Sequence, residues 1–148
     1  MPLISLFNRQ RAVAVDLGRL QSFAENALEA CRNAPRRGSD LLSELRQIDV
    51  VLVSDRRVAE IHRRFLKDAT PTDVITFQHG EIVVSAETAK RHARRFGTSM
   101  HHELQLYLVH GLLHLHGYDD KTPRGAAEMR RLQERIVARV DRALRRSI

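Results

Sequence analysis

The sequence predicts an α+β fold, in which a small mixed β-sheet packs against several helices. The clearest strand is the run from Ile48 to Val53, which is rich in β-branched residues. Two shorter runs of the same kind, residues 74–77 and 81–84, follow later in the chain. The segments around these runs repeat apolar residues every three or four positions, as on the buried face of a helix. A length of 148 residues suits one domain, residues 1–148, with a substantial core.

The N-terminal part is expected to hold β-prone pieces followed by one helix. The β-prone pieces are residues 3–7 and 12–15, joined by a basic link. Asp16 stands where a helix N-cap is needed, and apolar residues from Leu17 to Cys31 follow at helical spacing. A polar loop over residues 34–39 then ends this first helix.

The middle of the chain is expected to hold a second helix, a tight turn and a third helix. Ser54 or Asp55 caps the second helix, which a loop over residues 67–71 follows. Gly80 lies in the short connection between the two shorter β-branched runs, which predicts a hairpin or tight turn. The third helix is expected from Ser85 to about Phe96.

Two long helices are expected to complete the fold. The first begins near Met100 and includes the apolar run from Leu104 to Leu115. The second begins at Thr122-Pro123, a typical cap and first turn, and continues to about Arg145. Its apolar positions form one stripe: Met129, Leu132, Ile136, Val140 and Leu144. We interpret the arginines opposite that stripe as a solvated face rather than a dedicated groove.

The charge balance favours a polyanionic partner. Lys and Arg number 25 against 18 Asp and Glu, which gives a formal net charge of +7 at pH 7. Most of the basic residues are arginine, whose planar guanidinium suits phosphate, so RNA or DNA is the expected class of partner. Aromatic residues make up 5% of the chain and none is tryptophan, which argues against base stacking as the main binding mode.

The chain is expected to be a cytoplasmic protein. Cys31 is the only cysteine, which excludes an intrachain disulfide, and its place among apolar helix positions predicts a core residue. The apolar stretch over residues 1–7 is too short for a signal peptide and has no basic region before it. No apolar run approaches the length of a membrane span, so no membrane partner is expected.

A histidine-rich segment near the C-terminus predicts a metal site. His110 and His114 are four residues apart in an expected helix, which places both imidazoles on one face where they can hold one cation. Gly117 ends the helix in the manner of a left-handed C-cap, so the turn can bring Asp119 or Asp120 to the same ion. Such a set leaves one position open, as in catalytic sites, which most often hold zinc. The alternative is a pair of core histidines, but each would then need its own hydrogen-bond partner.

Two segments together resemble the YbeY family of bacterial endoribonucleases. The first runs from Thr72 to Phe77 and continues with residues 80–84. The second is the histidine segment from His110 to Asp119, and the similarity spans about Ile48 to Ile136. The resemblance implies an α+β fold with a zincin-like metal-bearing helix. It also implies a metal-dependent endoribonuclease, with zinc as the usual metal.

The resemblance further implies a substrate and a ligand set. Family members act in ribosomal RNA maturation, notably near the 3′ end of the small-subunit RNA, and in ribosome quality control. RNA and the ribosome are therefore the expected partners, and DNA is not. By resemblance, His110 and His114 take the first two ligand positions, and the family's third histidine is replaced here by Asp120. We assign the third position to Asp120 rather than Asp119, because Asp120 occupies the position equivalent to that histidine. Two histidines and a carboxylate form an accepted catalytic set, and they tolerate harder ions such as manganese.

A second departure from the family concerns substrate binding. Members typically carry an arginine, thought to hold substrate phosphate, at the position of Leu66. Arg63 and Arg64 lie just before that position. There are two possibilities: one of these two arginines supplies the phosphate contact, or the activity is altered. We assign substrate binding to Arg63 and Arg64.

Two other functions fit parts of the sequence. Zinc metalloproteases also place two histidines one helical turn apart, but a glutamate after the first histidine acts there as general base. Gly111 stands at that position and cannot take a proton. The second alternative is a non-catalytic ribosome assembly factor with a structural metal, although structural sites are normally closed by four protein ligands. Whether a metal-activated water or the RNA 2′-hydroxyl attacks the phosphodiester stays open.

Four residues near the motifs are expected to have supporting roles. Asp73 is interpreted mainly as a turn cap, and Tyr118 as a brace for the turn that follows the metal-bearing helix. His116 is expected to face away from the metal. Glu103 lies two helical turns before His110, about 10 Å away, which is too far for direct proton transfer. It is interpreted as a supporting, capping or surface residue.

Overall fold

The fold is described here from a computed structural model, which covers residues 2–35, 37–38, 40–66 and 73–146. The described residues form four strands and five α-helices, with one 3-10 turn at Leu41–Ser43. In order along the chain these are β1 (Leu3–Asn8), α1 (Leu17–Arg32), β2 (Gln47–Val53), α2 (Asp55–Leu66), β3 (Val74–Phe77), β4 (Glu81–Ser85), α3 (Ala86–Phe96), α4 (Met100–Leu115) and α5 (Pro123–Arg146). The predicted α+β class is therefore confirmed.

The four strands form one mixed sheet in the order β1-β2-β4-β3. β1 pairs with β2 and β2 pairs with β4 in parallel, whereas β3 and β4 pair antiparallel. The predicted tight turn joins β3 to β4, and the backbone N–H of Gly80 donates to the carbonyl of Phe77 across it at 3.0 Å. The small mixed sheet expected from the sequence is therefore present.

Helices cover the two faces of the sheet unequally. Side chains that alternate along β2, such as Val50 and Leu52, share one core with α1, α4 and α5. The opposite face carries a smaller cluster, in which Val53 and Val83 pack with Val58 and Ile61 of α2. Because α4 also contacts α1, α3 and α5, it is buried on most of its sides. The helix that carries the histidine pair is thus among the most firmly held elements of the fold.

The helix boundaries agree with the capping residues that the sequence suggested. Asp16 accepts a hydrogen bond from the backbone N–H of Arg19 at 3.1 Å and caps α1. Ser54, rather than Asp55, caps α2, because its hydroxyl accepts from the backbone N–H of Arg57 at 3.2 Å. Along α5, the predicted apolar stripe packs on the core, with Met129, Ile136 and Val140 buried and Leu132 and Leu144 partly buried.

One strand expectation is wrong. Residues 12–15 form no strand, because the side-chain amide of Gln10 satisfies the backbone of Val13 in place of a neighbouring strand. Its Nε2 donates to the Val13 carbonyl at 2.7 Å, and its Oε1 accepts from the Val13 N–H at 2.9 Å. The predicted loop over residues 67–71 lies outside the described residues.

No helix in the described ranges combines the length and the apolar character that crossing a membrane requires.

Candidate metal centre and its cleft

The C-terminal end of α4 is a Schellman motif, and it sets the direction of the chain beyond the histidines. The backbone N–H of Tyr118 donates to the carbonyl of Leu113 at 3.0 Å, and that of Gly117 donates to His114 at 3.1 Å. Gly117 has a φ of 106°, which a residue with a side chain rarely adopts. The hydroxyl of Tyr118 donates to the carbonyl of Pro35 at 2.7 Å. Tyr118 therefore braces the turn, as the sequence suggested.

Three side chains converge beside this turn. The Nε2 atoms of His110 and His114 lie 3.1 Å apart. Asp120 Oδ2 is 3.7 Å from His110 Nε2, and Asp120 Oδ1 is 3.9 Å from His114 Nε2. One donor atom from each residue lies within 4.8 Å of the other two. Among the described residues this is the cluster of histidine, cysteine and acidic side chains that could hold a metal ion.

The spacing of these donors fits one transition-metal ion. Donors about 2.0 to 2.2 Å from a tetrahedral zinc lie about 3.4 Å from each other. The two Nε2 atoms lie 3.1 Å apart, close to that value. The distances of 3.7 and 3.9 Å run to different oxygens of Asp120, and one donor atom from each of the three residues lies within 4.8 Å of the other two. Side-chain exposures of 21% for His110, 29% for His114 and 50% for Asp120 leave the donors open to the adjoining cleft. The set therefore suits a cation with at least one exchangeable position.

Gln133 of α5 fixes the ring of His110. The Nδ1–H of His110 donates to Gln133 Oε1 at 3.0 Å, because an amide oxygen can only accept. Gln133 Nε2 in turn lies 3.5 Å from the carbonyl of Leu106, which sets the orientation of the amide. This places the proton of His110 on Nδ1 and leaves the lone pair of Nε2 directed at His114 and Asp120.

Burial keeps His114 in its neutral form. Burial lowers the pKa of His114 below its ordinary value of 6.5, and the neighbouring His110 lowers this pKa further. The negative charges of Asp120 and Asp119 oppose that shift without reversing it. At neutral pH the imidazole is therefore unprotonated, which is the state that a metal ligand requires.

The two aspartates of the turn have different positions. Asp119 Oδ1 accepts a hydrogen bond from the backbone N–H of Lys121 at 3.1 Å, so it caps its own turn. Asp120 lies at the histidine pair. The backbone of Gly125, in the first turn of α5, lies close to the backbone of Asp119. A Cβ atom at Gly125 would be 2.8 Å from the Asp119 carbonyl oxygen, so this approach requires glycine. The structure thus brings Asp120, rather than Asp119, to the site.

The three donors line one end of a cleft with a volume of about 1210 Å³. β3, α3, α4 and α5 all contribute side chains to it. From α5 come Arg130, Arg131 and Arg135, which are exposed. These three arginines belong to the face predicted to be solvated rather than to form a groove. They are exposed, as predicted, and they also line the same cleft as the histidines.

Comparison with known proteins identifies the family. The model of the family described as Endoribonuclease YbeY matches residues 5–141 of this chain. The chain belongs to the YbeY family. The resemblance found in the two sequence motifs is therefore confirmed, and it extends over nearly the whole chain.

Individual relatives support the YbeY assignment. The chain is 32% identical to a protein named Endoribonuclease YbeY from Thermobifida fusca, over 91% of this chain and 92% of that protein. It is 30% identical to a protein of the same name from Frankia alni, over 93% of this chain and 82% of that protein. A match of 35% identity to the protein of that name from Myxococcus xanthus covers 62% of this chain but 35% of that longer protein.

A solved structure supports the fold. The solution structure of a protein from Thermotoga maritima superposes on this chain with a TM-score of 0.62 and 26% sequence identity. The superposition covers 97% of this chain and 93% of the other.

The two arginines predicted to hold substrate lie away from the cleft lining. Arg63 and Arg64 are exposed in the last turn of α2, and the guanidinium of Arg64 lies over the ring of Phe65 at 5.6 Å. Neither belongs to the cleft residues among those described. The side chain of Leu66, at the YbeY arginine position, is not described, and the loop after it lies outside the described residues. Substrate binding by Arg63 and Arg64 therefore stays a prediction.

The sequence analysis missed or undervalued three further features of the YbeY site. Gln133 carried no signal, because its role depends on the packing of α5 against α4. Glu103 is 5% exposed and lines the cleft, so it is not a surface residue. Its position seven residues before His110, on the same helix face, was the available signal. Asp73 also lines the cleft, and its backbone carbonyl accepts from the N–H of Ser85 at 3.2 Å.

Proposed function

We propose that residues 1–148 form a single metal-dependent hydrolase domain that cleaves RNA internally. The proposed substrate is ribosomal RNA, in maturation of the 3′ end of the small-subunit RNA and in ribosome quality control, in the cytoplasm. Membership of the YbeY family supports the endoribonuclease activity. The observation that carries the metal dependence is the convergence of His110, His114 and Asp120 within 4.8 Å at one end of a large cleft.

The proposed cofactor is one divalent transition-metal ion, with zinc first and manganese as a harder alternative. Nε2 of His110, Nε2 of His114 and a carboxylate oxygen of Asp120 would hold it. A cation in this position supplies Lewis-acid catalysis, in which it stabilises charge on a phosphoryl oxygen and lowers the pKa of a water molecule. The donor set supports such a role because it is open toward the cleft.

The residues of the chain have distinct proposed tasks. Gln133 keeps the proton of His110 on Nδ1, so that Nε2 is always available as a ligand. Arg130, Arg131 and Arg135 supply positive charge along the cleft, where they would hold the phosphates that flank the cleaved bond. Arg63 and Arg64 are proposed to contact phosphates farther along the RNA strand.

The alternatives are weaker on physical grounds. A structural metal site would be closed by four protein ligands, whereas three converge here among the described residues. This weighs against a non-catalytic ribosome assembly factor. A peptidase would need a general base next to His110, and Gly111 provides none.

Elemental analysis of the purified protein beside RNA cleavage tests the proposal. We expect about one divalent ion per wild-type chain, and cleavage of a single-stranded ribosomal RNA fragment that a chelator abolishes and added metal restores. The variants His114→Ala and Asp120→Ala should lose both metal and cleavage. His79→Ala is a matched control, because His79 is exposed in the β3–β4 turn outside the cleft.

The possible outcomes separate the candidate functions. Full metal content in Asp120→Ala would remove that residue from the site. Wild-type protein that holds its metal but leaves RNA intact would favour the assembly-factor alternative. Loss of metal in His79→Ala as well as in the site variants would contradict the assignment of the ligands.

A further inference from the structure

The cleft has an acidic side as well as an arginine side. α5 contributes Arg130, Arg131 and Arg135, together with Glu134, which lies 3.7 Å from His102. Asp73 and Glu103, which lie before β3 and on α4, add carboxylates to the lining. A phosphate backbone is attracted to the first side and repelled from the second. The two sides therefore select different parts of a nucleotide.

Glu103 is the unusual member of the acidic side. Its residue exposure is 5%, and what remains accessible belongs to the cleft lining. Its backbone N–H donates to Ser99, yet within the described parts of the chain its carboxylate has no hydrogen-bond donor and no ion-pair partner. The oxygens of this carboxylate are not sealed from the cleft, so a ligand there can reach them. A carboxylate with so little exposure and no partner among the described residues is stabilised by any group in the cleft that donates hydrogen bonds to it.

The neighbours of Glu103 restrict what this ligand is. One turn along α4, the hydroxyl of Tyr107 shares a hydrogen bond of 2.7 Å with Nδ1 of His92, so that hydroxyl is already engaged. Burial raises the pKa of Tyr107, and the carboxylates of Asp73 and Glu103 raise it further, so the phenol stays protonated. What Asp73 and Glu103 offer a ligand is therefore hydrogen-bond acceptors. Their negative charges disfavour an anion beside them and favour a neutral group with N–H donors.

Building on the RNA-cleaving function proposed above, we propose that Glu103, assisted by Asp73, is a base-recognition subsite for one unpaired nucleotide. Seven helical residues separate Glu103 from His110, a distance of about 10 Å along α4. A base near the cleaved phosphate can thus reach Glu103 while its own phosphate stays with the arginines. The edge of guanine, with N1–H and the N2 amino group side by side, matches the two oxygens of one carboxylate.

The subsite discriminates between bases by their donors. Cytosine and adenine each present one amino group to a carboxylate, whereas guanine presents two adjacent donors. Uracil flanks its single N–H with two carbonyl oxygens, which a carboxylate repels. The expected order of preference is guanine first and uracil last.

Binding of short single-stranded RNA to the full-length, metal-loaded protein tests this. The probes are a fluorescein-labelled heptauridine and the same oligonucleotide with one central guanosine, both checked on a gel to be intact after the measurement. A single guanosine is sufficient, because the oligonucleotide can shift along the cleft until that nucleotide reaches Glu103. We expect the guanosine to lower the Kd by about tenfold, the typical value of a good two-donor contact.

Substitution of Glu103 should remove the preference and leave general binding in place. Glu103→Gln replaces one acceptor oxygen with a donor, so guanosine and uridine probes should bind with Kd values within about twofold of each other. Glu103→Asp keeps the charge and should keep a weakened preference. The matched control is Glu134→Gln, which makes the same charge change on an exposed residue of the same cleft and should keep the full preference.

Failure of this inference is distinguishable from failure of the proposed function. Equal binding of the two probes by the wild-type protein, or an undiminished preference in Glu103→Gln, overturns the base subsite and leaves RNA cleavage untouched. Absence of binding to both probes overturns the subsite and also the proposed role in RNA cleavage. The wild-type comparison alone decides the matter if Glu103→Gln does not fold.

Discussion

Two histidine environments lie within seven residues of each other at the end of α4, and they differ in where the histidine nitrogens find their partners. His116 has a side chain that is 2% exposed. Its Nε2–H donates to the carbonyl of Ala34 at 2.8 Å, and its Nδ1–H donates to Asp40 Oδ1 at 3.2 Å. Both ring nitrogens therefore have a hydrogen-bond partner within the fold. The ring is fully used within the fold.

The pair His110 and His114 is in the opposite condition. Their side chains are 21% and 29% exposed, and their Nε2 atoms face each other at 3.1 Å with the carboxylate of Asp120 nearby. Two facing imidazole nitrogens share at most one proton, so the pair makes one hydrogen bond between its own rings and converges with a carboxylate instead of reaching distant parts of the fold. A histidine bonded to distant segments is therefore structural, whereas histidines that converge with a carboxylate beside a cleft are candidate ligands.

The largest expected effect concerns the pair His110 and His114. His114→Ala should reduce bound metal to background and reduce RNA cleavage by more than about 100-fold, because losing a ligand costs more than losing an outer partner. The measurement is metal content and initial cleavage rate at saturating metal. The thermal midpoint of the metal-free protein should change little. Metal content equal to that of the wild type would erase the distinction between the two environments.

The next largest effect is expected at His116. His116→Ala removes the hydrogen bonds of the ring to the Ala34 carbonyl and to Asp40 and leaves a cavity where the side chain was 2% exposed, which should lower the free energy of unfolding by about 3 kcal/mol, or roughly 10 °C in Tm. The folded fraction should still bind about one metal ion per chain. A thermal melt of the chelated protein beside a metal titration measures both. An unchanged Tm would show that His116 is not a structural residue.

A smaller effect is expected at Gln133, the residue of α5 that hydrogen-bonds to His110. Gln133→Leu removes the acceptor for His110 Nδ1–H, which should raise the Kd for metal about 10- to 100-fold while Tm changes little. Competition with a chromophoric chelator measures the affinity. Gln78→Leu is the control, since Gln78 is an exposed residue of the same cleft. Equal affinities of Gln133→Leu and the wild type would mean that the ring of His110 needs no support.

The smallest effects separate the two environments by pH in the metal-free protein. The pKa of His114 is lowered, so below pH 6.5 the unfolded chain binds more protons than the native one. Stability should therefore decrease as the pH falls from 6.5 through the lowered pKa, and His114→Ala should lack this decrease. Urea unfolding at a series of pH values measures it. A decrease that persists unchanged in His114→Ala would assign it to another group.

The second pH window belongs to Asp40. Burial would raise the pKa of Asp40, but hydrogen bonds from Ser43 and the charge and hydrogen bond of His116 lower it below its ordinary value of 3.8. The stability that this carboxylate contributes is present above that value and is lost as the pH falls through the lowered pKa. His116→Ala should reduce this loss. The same urea series, extended to lower pH, shows whether the two windows are distinct.

The sequence by itself determined what depends on neighbours along the chain. His110, His114 and Asp120 fall within eleven residues, so the helical period and the turn at Gly117 predicted that the two histidines converge with Asp119 or Asp120. The resemblance to the YbeY family then favoured Asp120. Helix limits followed in the same way from capping residues and apolar spacing, and the α+β class followed from the order of those elements. These are local rules, and they act over a few residues at a time.

Only the tertiary structure decided what depends on segments far apart in the chain. Asp40 meets His116 across 76 residues, and Gln133 meets His110 across 23, so neither contact has a local pattern. Glu103 became a buried cleft residue, and the arginines of α5 became part of the cleft, through the packing of α5 on α4. Burial and partner completeness are properties of the packed core, and no local spacing encodes them.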